Sequence, residues 1–250
     1  MIKSIINEYG MPWVFNRSLY SAKLKLMNLI PTTEKIFEKN VQVKRVDIFD
    51  LKTKEIEYFL NNLSEEKKQE IILLGNNATE GKIKGFSSIE LNYGNPINWH
   101  LNPLTNKEVD NTLKWYQIPD FDPERGDIKL IWEASRFTHL FYFIRAYMLT
   151  KDKQYYEAFS NQLDNWLKEN PYSYGANYKC GQEATLRMIN VLIAYSAFKY
   201  YGLITQKDEE NVRLLVAGSY KKVISNFFYA HKCIKNNHTL SEITGLIIGA

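Results

Sequence analysis

The sequence predicts a mainly α-helical protein built from stacked helical hairpins, and three observations predict it. Of its 250 residues, 45% are hydrophobic and 14% aromatic, enough apolar material for a large core and far too much for a disordered chain. From about residue 128 to the end, apolar residues recur with helical period in five successive segments. These segments alternate between apolar on almost every side and apolar along one stripe. A double layer of helices requires this alternation, since its inner helices are covered on both sides and its outer helices on one.

Before residue 128 the texture is mixed. A basic amphipathic helix is expected around 16–30 and another helical stretch around 53–73. The run "GKIKGFSSIELNYGNPINWHLNPLTNK" follows, rich in Gly, Asn and Pro, with a short alternation from Phe86 to Leu91; it reads as loop with minor strand. Residues 1–90 are therefore assigned to a mixed N-terminal region, and 91–250 to the helical domain.

The five segments come in order. "IKLIWEASRFTHLFYFIRAYMLT" (128–150) is apolar nearly all round and predicts one buried helix, whereas Tyr155 to Lys168 keeps Tyr155, Phe159, Leu163, Trp166 and Leu167 on one stripe. The third, about 182–201, is again apolar all round. The fourth, about 207–230, is striped through Val212, Leu215, Val216, Tyr220, Val223, Ile224 and Phe227, and the fifth begins at Asn237 with Leu240, Ile243, Leu246 and Ile247. Connections as short as "KDK" and "GLITQ" make neighbours antiparallel. Segments one, three and five are then inner and parallel, with polar starts recurring at Glu133, Glu183 and His238.

Composition excludes several functions. The net charge of +4 is spread as scattered Lys among acids, without a run suited to nucleic acid. Cys180 and Cys233 are the only cysteines and lack metal-ligand spacing, so no metal and no cofactor is expected. No apolar run reaches signal-peptide or membrane-span length, so no membrane partner is expected; the sequence alone does not separate a cytoplasmic from a periplasmic bacterial protein.

Parallel inner helices bring their N-termini to one rim, which collects Trp132, Glu133, Arg136, Gln182, Glu183, Arg187, Asn237, His238 and Glu242. Helix N-termini present unpaired N–H groups and the positive end of the dipole, so the rim suits an anionic group. Trp99, Tyr172, Tyr174 and Tyr178, from aromatic-rich loops, are candidates to stack on sugar rings. Plainer readings exist for each polar residue. Asn237 is also a natural N-cap, and Glu133 with Arg136, Glu183 with Arg187, and His238 with Glu242 stand at intrahelical pairing distance.

The stretch "NNHTLSEITGL" (236–246) resembles the Asn-Asn-His-x-x-x-Glu-x-x-Gly-Leu signature of the heparinase II/III-like polysaccharide lyases. "INWHLNPLTNK", the 127–171 stretch and "GANYKCGQEATLRMINVLIAY" fall in the order that family shows, so the resemblance covers about residues 90–250. Cys180 and Gly181 depart from it where Ser or Thr and a small or apolar residue are expected, and Thr244 stands where Ala is commoner. The resemblance implies an incomplete (α/α) toroid and β-elimination on a uronic-acid polysaccharide, whose C5 proton is abstracted beside a carboxylate.

That carboxylate must be neutralised before a base of near-neutral pKa can act. In this reading Asn237 clamps it, and His238 either completes the clamp or serves as base. Glu242 orients His238, while Glu133, Arg136, Glu183, Arg187, Trp99 and Tyr178 support the site or bind substrate. The resemblance also implies a catalytic Tyr on later toroid helices and a second His in a β-sandwich domain, both beyond Ala250. The chain is thus expected to be an N-terminal part of the enzyme. Two other functions compete: a toroid glycoside hydrolase using Glu133, Glu183 or Asp127, whose inverting pair would stand ~6.5–9.5 Å apart, and a noncatalytic glycan-binding or assembly module.

Overall fold

The computed structural model describes the backbone of residues 2–250 and the side chains of residues 6–250. The chain is mainly helical. Helices α1 (Ile2–Tyr9), α2 (Met11–Leu29), α3 (Glu34–Phe37), α4 (Thr53–Asn61) and α5 (Glu65–Thr79) precede three two-stranded antiparallel hairpins. These are β1 (Lys82–Gly85) with β2 (Ile89–Asn92), β3 (Leu101–Asn102) with β4 (Lys107–Glu108), and β5 (Phe121–Asp122) with β6 (Gly126–Asp127). The remaining helices are α6 (Lys129–Ser135), α7 (Leu140–Thr150), α8 (Gln154–Glu169), α9 (Gly181–Tyr200), α10 (Gln206–Phe228) and α11 (Asn237–Gly249), with a π-helical turn at Tyr229–Ile234.

Two hairpins, α7–α8 and α9–α10, form the double layer that the periodicities predict. α7 packs on α9, α8 on α10, and α5 lies on the other side of α7. The stripe of α8 is buried at Tyr155, Phe159, Leu163 and Trp166, while α9 is buried on nearly every face. The main core runs across residue 90 without a break, from Met27, Val46, Leu60 and Ile83 to Phe143, Trp166 and Phe198. Thr205 starts α10 with a capping box, its hydroxyl accepting from the Asp208 N–H and the Asp208 carboxylate from the Thr205 N–H.

The first of the five segments is broken. Between α6 and α7 the chain turns through Phe137, whose φ is +58° in the left-handed region although it is a buried aromatic residue. The carbonyls that the break releases are taken up by α9. Arg187 Nη1 donates to Ser135 O at 3.4 Å, and Asn190 Nδ2 to Arg136 O at 2.8 Å. His139, fully buried and pushed down to about 4 by that burial, bonds Gln162 Oε1 at 2.8 Å. The stretch expected at 53–73 is likewise two helices, divided before Ser64, which caps α5 through the Lys67 N–H.

The fifth segment also departs from expectation. α11 packs on α9 and α10, yet Leu240, Ile243 and Ile247 are 71%, 39% and 74% exposed, so it is not covered on both sides as an inner helix would be. Its contact with α9 is close, because glycines stand where the helices meet. A Cβ on Gly245 would collide with Thr185 Oγ1, and one on Gly181 with the Glu242 carboxyl.

Candidate functional site

The end of α6 meets the starts of α9 and α11, and beside them lies a cleft of about 450 Å³. Arg136, the C-cap of α6, ties that end to the start of α9. Its guanidinium donates to Glu183 through Nε at 2.6 Å and Nη2 at 2.9 Å, and to Glu133 through Nη1. The Phe86 N–H, at the tip of the β1–β2 hairpin, donates to Glu133 Oε2 at 2.9 Å. Burial alone would lower the Arg136 pKa, but the hydrogen bonds and charge of Glu183, with the charge of Glu133, leave it raised. The start of α11 joins through His238, whose Nδ1 stands 3.6 Å from Cys180 Sγ at the N-cap of α9.

The cleft has one wall from α9 and α11 and an opposite wall from α2. Cys180, Gly181, His238 and Glu242 line it on one side, and Arg17, Tyr20, Ser21 and Leu24 on the other. Tyr20 stacks on Tyr229 with ring centroids 4.3 Å apart and donates to Asn226 Oδ1 at 3.2 Å. The Arg17 guanidinium lies 5.1 Å from the Tyr229 ring centroid, which directs a cation into the cleft. Trp115, Tyr116 and Trp132 add aromatic surface, and Lys129 and Lys179 add charge. Lys129 pairs with Asp127 at 3.3 Å, and Lys179 with Asp120 at 3.5 Å.

Beneath the cleft sit two charged groups without ordinary partners. Glu242 is buried with Oε2 unbonded among the described residues, and desolvation pushes it up to about 7 against the charge of Lys222. Lys222 is buried with its ammonium 3.2 Å from the Trp115 ring centroid, and burial pulls it down to about 7.

Several expected roles change. Asn236, not Asn237, is the N-cap of α11: its Oδ1 accepts from the His238 N–H at 3.0 Å, leaving the exposed Asn237 amide outside the cap. Glu242 turns toward Gly181 and does not hydrogen-bond His238, whose ring is held by Cys180 instead. Glu183 pairs with Arg136 across helices and not with Arg187. Arg187 is fully buried, donates to the carbonyls of Asn177 at 2.8 Å and Ser135, and is lowered to about 10 by desolvation; it braces the fold beneath the rim.

Trp99 and Tyr178 are core residues, so neither offers a face to a sugar. Trp99 donates its Nε1 to Asn165 at 2.7 Å, and Tyr178 packs on Trp166 and Tyr172. Arg17, Tyr20, Trp115, Tyr116 and Tyr229 line the cleft but were not singled out by sequence. They come from a helix and loops far away in the chain, and only the basic character of α2 hinted at any of them.

A helical-hairpin protein with an aromatic-walled cleft, lined by charges of both signs where helix ends converge, is the class that fold and site define. The chain belongs to the heparinase II/III N-terminus family, whose model matches residues 14–249. The match takes in α2 and so extends well beyond the stretch from residue 90 that carried the resemblance. No curated protein and no solved structure matches the chain. Membership relates it to polysaccharide lyases.

Proposed function

We propose that the cleft binds an acidic polysaccharide containing uronic acid, and that the chain contributes this binding wall, with Asn237 and His238, to a lyase acting by β-elimination. The observation that carries the reading is His238, from the stretch that resembles the lyase signature, on the wall of a cleft that also holds Arg17, without an ion-pair partner among the described residues, and Lys129 and Lys179 beside Asp127 and Asp120. Cations attract the uronate carboxylates, and aromatic rings supply faces for the sugars. Asn237, next to His238 in the chain, exposed and free of capping duty, has an amide available to a carboxylate oxygen. The helix arrangement is consistent with part of an (α/α) toroid.

A glycoside hydrolase needs one carboxyl free to donate a proton and another free to act on water or sugar. Glu133 and Glu183 are both engaged by Arg136, and Asp127 by Lys129, which favours elimination.

Titrating the 250-residue chain with a short oligouronate tests the binding step. The expected result is salt-sensitive binding, weakened about tenfold or more by Arg17→Ala, as loss of a charged hydrogen bond implies. Absence of binding to the chain sinks the reading. In the lyase, elimination yields unsaturated ends that absorb in the ultraviolet, whereas saturated products identify a hydrolase. Binding with no turnover identifies a glycan-binding module.

A further inference from the structure

We propose that Cys180 is a positioning residue that fixes the neutral imidazole of His238 in the tautomer carrying its proton on Nε2. The two side chains come from different helices and meet on the wall of the cleft, with Sγ 3.6 Å from Nδ1. A thiol and a ring nitrogen at that distance share one hydrogen, so either the S–H donates to an unprotonated Nδ1 or a protonated Nδ1–H donates to sulfur.

Placement decides between these. Cys180 is the N-cap of α9, and its side chain makes no capping hydrogen bond to the helix. Its hydrogen is therefore free for Nδ1, and a ring lone pair accepts far better than a thiol sulfur, so the S–H donates to the ring. The thiol keeps that hydrogen, because burial and the nearby charges of Glu183 and Glu242 all oppose a thiolate. Burial also disfavours the imidazolium, although Glu183 pulls the other way, so the ring is neutral at neutral pH. The His238 backbone N–H is already taken by Asn236 Oδ1. With Nδ1 as acceptor, the ring's remaining N–H is on Nε2, on the far side from Cys180.

The chemical consequence rests on the proposed function. A ring protonated on Nε2 donates a hydrogen bond to a substrate carboxylate and has no lone pair there to take the C5 proton. His238 in this state belongs to the carboxylate clamp, beside Asn237, and the base is another group. A base role for His238 needs the opposite tautomer, with Nδ1–H donating to sulfur.

Long-range proton–nitrogen NMR of the uniformly ¹⁵N-labelled 250-residue chain at neutral pH reads the tautomer directly and needs no saccharide. Its result therefore stands apart from the oligouronate titration. The His238 signals are identified by their loss in His238→Gln. The expected pattern is a pyrrole-like Nε2 and a pyridine-like Nδ1 in the wild type, kept in Cys180→Ser and shifted toward the average of the two tautomers in Cys180→Ala. A protonated Nδ1 in the wild type overturns the inference, and so does a folded Cys180→Ala protein with unchanged nitrogen shifts.

Discussion

The carboxyl group of Glu242 rests on the Cα of Gly181, so closely that a methyl group at residue 181 would stand 2.5 Å from Glu242 Cδ. Alanine in place of a helical glycine ordinarily stabilises by about 1 kcal/mol. Here the methyl must push the carboxyl toward the cleft it lines, which more than offsets that gain, so Gly181→Ala is expected to destabilise by about 1 kcal/mol. Urea unfolding measures it. The two changes should be non-additive, with Gly181→Ala costing little in a Glu242→Ala background. Equal costs in both backgrounds would show that the contact carries no energy.

The same carboxyl makes stability depend on pH in an unusual direction. Burial raises Glu242 from 4.5 to about 7, so the folded chain holds this proton more tightly than the unfolded chain. Its favourable contribution is complete below pH 4.5 and is lost as pH rises through about 7, amounting to about 3 kcal/mol. Glu242→Gln also removes the charge that raises Lys222, so the comparison reads the carboxyl together with its coupling to Lys222. The stability of wild type minus that of Glu242→Gln should fall across this window. A pH-independent difference would refute the assignment.

Asn236 and Asn237 separate capping from function. Asn236→Ala removes the acceptor for the His238 N–H and is expected to cost about 1 kcal/mol of stability. Asn237→Ala should change stability by less than about 0.5 kcal/mol and yet weaken oligouronate binding. In a lyase with this wall, Asn237→Ala and Asn237→Asp should each lower kcat by roughly 10²-fold, as for a lost oxyanion donor. Near-normal turnover in Asn237→Asp would remove the clamp.

Arg187 should behave as a structural residue. Its loss strands the carbonyls of Ser135 and Asn177 inside the protein. Arg187→Met is expected to cost about 2–4 kcal/mol, and Arg187→Lys to rescue little of it, because a single ammonium does not reproduce the fork. Thermal unfolding checks both. A fully stable Arg187→Met protein with impaired saccharide binding would return Arg187 to the site.

The four helices α7 to α10 were legible because each buries a face whose width is written in apolar spacing. Of the recurring Glu133, Glu183 and His238, the last two stand in the first turns of α9 and α11, while the break in the first segment leaves Glu133 in the last turn of the short α6. The break at Phe137 was not legible: neither Gly nor Pro marks it, and the bonds from Arg187 and Asn190 that satisfy it come from about 50 residues away in the chain. The pairing of Glu183 with Arg136 in preference to Arg187 was missed for the same reason. Spacing within a helix gives candidates, and tertiary packing chooses among them. Sequence pattern also presented α11 as buried, because Leu240, Ile243 and Ile247 have the same spacing whether or not anything covers them.

The Arg136 cluster has a directional consequence. Two carboxylates share one guanidinium there, so one unit of negative charge is left between α6 and α9, answered in part by the Phe86 N–H. The cations Arg17, Lys129 and Lys179 line the cleft beside it. Lys129 and Lys179 are answered by Asp127 and Asp120, so Arg17 alone on the α2 side faces that charge unpaired among the described residues, and a polyanion bound as proposed would be drawn toward α2. Sugars in the proposed ligand are not symmetric end to end, so a one-sided field of this kind would rank the two directions of threading.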